Sequence, residues 1–100
     1  MPLPELMRQH QRLAILRLLN EAQGGDLNDS ILQDAMAQFG LDISRDALRT
    51  ELAWLAEQGL VALAEVYHTQ VASLTARGAD VALGRAQVPG IKRPRPGAGA

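Results

Sequence analysis

Cysteine is absent from the 100 residues, which removes disulfides, thiol nucleophiles and thiolate metal sites and leaves no mark of an oxidising compartment. Aromatic residues are scarce, one each of Trp, Tyr and Phe, so a core has to be aliphatic. Hydrophobic residues make up 47% of the chain, enough for one small domain. No apolar run is long enough to cross a bilayer. Glu5 and Arg8 fall where a signal peptide would carry its apolar centre. The expected location is therefore the cytoplasm, without a membrane partner. A basic surplus is missing too: Lys and Arg number 10 against 11 Asp and Glu, for a formal net charge of -1. Nucleic-acid binding has to be argued from where the cations lie, since bulk charge gives it no support.

Catalytic groupings are equally absent. There is no Ser-His-Asp spacing, no glycine-rich phosphate loop after a strand and no carboxylate pair in an apolar setting, so the chain does not read as an enzyme. His10 and His68 each lack a second ligand at short spacing, and no metal or other cofactor is expected.

What is present is a strong local pattern over residues 43–61. Leu48, Leu52, Leu55 and Gly59 recur on one helical face, while Asp46, Arg49, Thr50, Ala53 and Glu57 fall on or toward the other. Ser44 is a good N-cap, Ile43 and Leu48 can staple the helix start, and Gly59 supplies a left-handed stop that leads straight into a β-like run.

Around this segment the chain divides readily. Pro2 and Pro4 precede a helix over residues 5–22 with Leu6, Leu13, Ile15, Leu16, Leu18 and Leu19 as its apolar positions. Gly24 and Gly25 end it, and Asp26-Leu27 can pair as a minimal strand. Asn28 caps a second helix with Ile31, Leu32, Ala35, Met36 and Phe39 expected inward, closed by Gly40. Only Leu41-Asp42-Ile43 separates it from the third helix, so the two must turn sharply, as in a helix-turn-helix. Runs 60–66 and 70–74 form a hairpin about Tyr67-His68-Thr69. Thr75 caps a last helix extending to about residues 84–86. The expected fold is mainly α with a small β-hairpin, in a domain of residues 1–87. Residues 88–100, with three prolines and three glycines, are expected to be a flexible basic tail.

This element order resembles the winged helix-turn-helix transcriptional regulators of the MarR and ArsR type over residues 8–86. Two motifs carry the resemblance: Leu52-x-x-Leu55-x-x-x-Gly59-Leu60-Val61 at the helix exit, and Leu74-Thr75-x-x-Gly78 after the hairpin. The segment Val88-Pro89-Gly90-Ile91-Lys92-Arg93-Pro94 is similar to the tail of short proteins of Mu-like phages and prophages commonly labelled ArsR-type regulators.

The resemblance implies double-stranded DNA as partner, with Ser44, Arg45, Arg49 and Thr50 of the reading helix and His68 of the wing facing it. An arginine fork can donate two hydrogen bonds to a guanine edge, and hydroxyls at a helix start can bond phosphates. Lys92, Arg93 and Arg95 would add a basic arm. The resemblance also implies a homodimer, with the first helix and Val81, Ala82 and Leu83 of the last as seam. The sequence departs from a strong DNA binder in its second helix, which has Asp26, Asp29 and Asp34 on or beside it and no cation, and in a wing turn without Lys or Arg. A protein-interaction adaptor, serving phage assembly or host takeover, is the alternative reading. Independently of either, Arg45 and Arg49 have a purely structural alternative, solvating an exposed helix face and pairing with Asp46, Glu51 or carboxylates of the second helix. Trp54 lies at the flank of the leucine stripe and is expected beneath the hairpin or toward a partner.

Overall fold

Three helices begin at the polar residue expected to cap them. In the computed structural model, which describes residues 2–95, Asn28 accepts from the Ile31 N–H ahead of α2 (Asp29–Gln38). Ser44 does the same for Ala47 ahead of α3 (Arg45–Glu57), and Thr75 for Gly78 ahead of α4 (Ala76–Ala82). Each such bond satisfies a donor that a helix start leaves free and is worth about 1 kcal/mol. The first helix, α1 (Leu3–Glu21), has no side-chain cap and starts on its prolines instead, whose missing N–H leaves nothing unpaired there.

The strands β1 (Asp26–Asn28), β2 (Val61–Val66) and β3 (Thr69–Leu74) form an antiparallel sheet in the order β1-β3-β2. Among the described residues four α-helices and a three-stranded sheet thus make a mixed α and β fold, richer in sheet than a lone hairpin. Val66 pairs with Thr69, so the hairpin closes on two residues, Tyr67 and His68, with φ of 50° and 64°. That is one residue tighter than the expected turn. No helix of the described residues is long and apolar enough to cross a membrane.

The core lies where α1, α2 and α3 meet the sheet. Ile15, Leu16 and Leu19 of α1, Leu32 and Met36 of α2, and Leu48, Leu52 and Leu55 of α3 are all fully buried. The leucine stripe of α3 therefore faces inward as its spacing requires. The two motifs that carried the resemblance touch one another. Thr75 Oγ1 donates to the Gly59 carbonyl at 2.7 Å, and the Thr75 N–H to that of Leu60 at 3.1 Å. Gly78 lies directly against Leu60: a Cβ there would collide with the Leu60 carbonyl oxygen and come within 2.7 Å of Leu74 Cδ1. Their spacing in sequence follows from this crossing of α4 over the exit of α3.

Elsewhere the packing departs from expectation. Ile31 and Phe39 are 50% and 63% exposed, because the inward stripe of α2 runs through Asp29, Leu32 and Met36 and carries them round to the outer side. Helix α4 stops at Ala82, short of residues 84–86, with Gly84 in the left-handed region. Val81 and Ala82 are buried within the chain, so they are not available as a dimer seam. Leu83 remains exposed.

The largest departure concerns the C-terminal segment. Val88 and Ile91 belong to the core cluster, the Lys92 N–H donates to the Gln9 carbonyl of α1, and the Gly90 carbonyl accepts from Arg12. Residues 88–92 are a strap across α1, where a free tail was expected from Val88 onward. Two apolar side chains and these bonds offset the ordering entropy that the proline and glycine content foretold would prevail. Pro96, Gly97 and Gly99 of the expected tail lie outside the described residues.

Leu52→Ala should destabilise the fold by roughly 2–5 kcal/mol, the usual range for a fully buried leucine. Denaturant unfolding checks this, and an unchanged midpoint would contradict the stated helix phase. Truncation after Gln87 should lower the melting temperature markedly, since burial of Val88 and Ile91 is worth roughly 1.5–3 kcal/mol each before ordering entropy is subtracted. Calorimetry showing a shift under about 1 °C would mean the strap contributes nothing.

Candidate functional site

The outward stripe of α3 is set by what its flanks pack against. Leu48, Leu52 and Leu55 fix the inward side, leaving Asp46, Thr50, Ala53 and Glu57 exposed. Arg45 and Arg49 stand on the flank toward the hairpin. Ala47, Glu51 and Trp54 stand on the flank toward α1.

Arg49 is the hub of the hairpin flank. Its Nε donates to Asp29 Oδ2 at 2.8 Å, its Nη2 to the His68 carbonyl at 2.9 Å, and its Nη1 lies 3.8 Å from Glu65 Oε1. One guanidinium thus joins the start of α2, the middle of α3 and the hairpin turn. Asp29 is fully buried. Burial disfavours its charged form, but the Arg49 hydrogen bond, the charges of Arg45 and Arg49 and the Gln70 backbone amide outweigh it. The Asp29 carboxyl therefore sits below its ordinary value of 3.8. Asp29 Oδ1 and Gln70 Oε1 remain buried without a hydrogen-bond partner among the described residues.

The residues expected to meet a partner are only partly brought together. Ser44 Oγ is occupied as the cap of α3, and Thr50 Oγ1 donates to the Asp46 carbonyl at 3.1 Å. Arg45 is exposed and makes no hydrogen bond or ion pair among the described residues. His68 offers its carbonyl to Arg49 and exposes its side chain. Lys92, Arg93 and Arg95 follow the strap, Lys92 and Arg93 lining a small cleft with Val81 of α4, so they do not join the α3 and hairpin surface.

The opposite flank carries a second hub. Arg12 Nε pairs with Glu51 Oε1 at 2.6 Å and Nη1 donates to the Gly90 carbonyl at 2.9 Å, with the guanidinium 3.9 Å from the centre of the Trp54 ring. Trp54 therefore packs beneath the strap, not beneath the hairpin. Of the arginines of α1, Arg12 serves to neutralise a neighbour's carboxylate.

Comparison with known proteins places the chain in a family. The uncharacterized protein gp26 of Escherichia phage Mu is 46% identical over 92 residues, 92% of this chain and 95% of the phage protein. The chain belongs to the family of phage Mu gp26. A further relative, an uncharacterized protein of Haemophilus influenzae, is 49% identical over 78 residues, 77% of this chain and 76% of its own length. The gp26 family thus includes a small phage protein that spans almost the same length. No protein-family model matches the chain, and no solved structure matches it.

Asp29 and Glu51 were not visible as site residues in the sequence. Their partners lie 20 and 39 positions away, beyond any spacing that a helix or hairpin enforces. Because the folded Asp29 value is lowered, its stabilising contribution is complete above 3.8 and disappears as pH falls through the lowered value. Asp29→Asn should cost about 1–3 kcal/mol at neutral pH, nearer the lower figure because Arg49 keeps access to water. Thermal melts of both proteins should show the gap closing in acid. A gap that is constant from neutral pH to strong acid would contradict the pairing.

Proposed function

We propose that this gp26-family protein is a winged-helix DNA-binding protein, a transcriptional regulator carried by phages and prophages, with α3 as reading helix and the β2–β3 hairpin as wing. The observation that carries this reading is the bridge from Arg49 to the His68 carbonyl. It holds the hairpin turn beside the first turns of α3, so helix and hairpin offer one continuous surface. Arg45, one helical turn from Arg49 and unpaired, is the residue with the reach and charge to contact a guanine edge or phosphate there. Ser44 and Thr50 add backbone and hydroxyl groups at the helix start. A homodimer would bring two such helices to successive turns of DNA. With Val81 and Ala82 buried, its seam would fall on Leu3, Leu6 and Leu83, which are exposed.

A specific observation favours the adaptor as second reading. The outward stripe of α3 presents Asp46 and Glu57, and Arg49 is already committed to Asp29. Both reduce the positive potential that drives phosphate binding.

A salt-titrated binding assay on random duplexes and on the DNA flanking the protein's own gene decides between the two. Under the regulator reading, Arg45→Ala should cost roughly 1–3 kcal/mol at a specific site, or reduce the salt slope by about one if the contact is to phosphate. Arg45 is the residue to test, because Arg49→Ala would also release the hairpin. No binding to any duplex at low salt overturns the regulator reading. A protein complex that persists in the Arg45→Ala variant would then support the adaptor.

A further inference from the structure

Charge is divided unevenly along the chain. Arg77, Arg85, Lys92, Arg93 and Arg95 are half of its 10 Lys and Arg, and Asp80 is the one acid after residue 65. The structure gathers these late cations instead of leaving them on a loose end. The Lys92 N–H is bonded to the Gln9 carbonyl of α1, and Ile91 is in the core. Pro94 then returns to the end of α4: a Cβ on Gly84 would meet Pro94 Cγ at 3.7 Å. Arg85 follows that glycine and Arg93 and Arg95 flank that proline, so three arginines are rooted at one junction of α4 and the strap. Arg77, Arg85, Arg93 and Arg95 are exposed and Lys92 is half-buried. None of the five side chains has a hydrogen bond or ion pair among the described residues, whereas Arg12 and Arg49 are both committed to buried carboxylates.

Like charges held together without partners raise a local positive potential, which a polyvalent anion relieves. Arginine forks match the oxygens of phosphate. Residues 76–95 contain no aromatic ring, so they offer no platform on which unpaired bases could stack and no ring to anchor a protein interface. Leu83 is the one large apolar side chain exposed among them, too little to hold an interfacial membrane segment. The backbone of a duplex needs neither stacking nor apolar contact, since it presents a close, regular row of phosphates. The acid-rich remainder of the chain turns such a polyanion away from other approaches.

We propose that the junction of α4 and the strap is a sequence-independent binding surface for the phosphate backbone of double-stranded DNA. Arg85, Arg93 and Arg95 make the central contacts, with Arg77 and Lys92 on either side. Because the strap is already docked, its cations need little further ordering when they bind, as a free arm would. This surface is separate from α3 and the hairpin, and the proposal does not depend on what those elements bind.

The probe is a short random-sequence DNA duplex, titrated into the isotopically labelled full-length chain and, by fluorescence anisotropy, over a series of salt concentrations. Saturable shifts are expected in the backbone amides of residues 84–95, and added salt should reverse them. The triple variant Arg85→Gln, Arg93→Gln, Arg95→Gln removes three exposed, unpaired charges and should keep the melting temperature within about 1 °C. It should lower the salt slope by about two to three and weaken binding roughly tenfold or more, whereas Arg45→Ala lowers the slope by at most about one. An unchanged slope in the triple variant, or shifts confined to α3 and the hairpin, would overturn the proposal and leave the α3 reading standing. Absence of any duplex binding at low salt would overturn both. Vesicles of anionic lipid bound more tightly than the duplex would assign the cations to a membrane surface instead. Salt-sensitive oligomers of the DNA-free chain that the triple variant fails to form would assign them to a second copy, and either result would overturn the proposal.

Discussion

Arg12 is the side chain on which the arrangement of α1, α3 and the C-terminal strap depends. Its guanidinium uses an edge for Glu51, a second nitrogen for the Gly90 carbonyl and its flat face for Trp54. A carboxylate as buried as Glu51 would be costly without that partner, since an uncompensated charge out of water destabilises far more than a paired one stabilises. The position of Gly90 follows from the same contact. Its φ is +95°, and a Cβ there would come within 3.0 Å of Arg12 Nη1 and 3.2 Å of the Trp54 ring. Only glycine lets the strap approach closely enough for its carbonyl to reach the arginine. Val88 and Ile91, on either side, then enter the core.

Arg49 does the corresponding task on the other flank, and the two arginines together decide what α3 can offer a partner. Each is drawn toward a carboxylate buried at a helix junction, Glu51 within α3 itself and Asp29 at the start of α2. Of the two cations that α3 carries, Arg49 is thus consumed in holding the helix in place. What remains outward is a mixed stripe with Arg45 at its N-terminal end. Affinity of α3 for any polyanion would depend on that residue and on the arrangement of copies, not on a broad basic face of the helix.

Legibility in the sequence follows the range of the interaction. The caps Asn28, Ser44 and Thr75 reach donors three residues on, and the leucines of α3 repeat within two turns, so local pattern suffices for them. The exit motif and the Thr75-x-x-Gly78 motif were also legible, because both are short even though their contact is not. Arg12 with Gly90 spans 78 positions, and nothing in the neighbourhood of either residue announces the other. The strap was misread for a related reason. Composition averages over a segment, whereas docking needed only Val88 and Ile91 three apart, with a glycine between them to let the backbone through. Ile31 and Phe39 were misplaced because α2 is 10 residues long and several apolar stripes fit so short a helix.

The hairpin turn is built from residues that ordinarily avoid its backbone angles. Tyr67 and His68 both adopt left-handed backbone angles, and Tyr67 is 96% exposed. Residues with a Cβ pay in that region what Asn-Gly would not, and neither ring recovers the difference by burial. The left-handed pair is instead held by its surroundings, since the Val66–Thr69 pairing closes the strands on it and Arg49 fixes the His68 carbonyl.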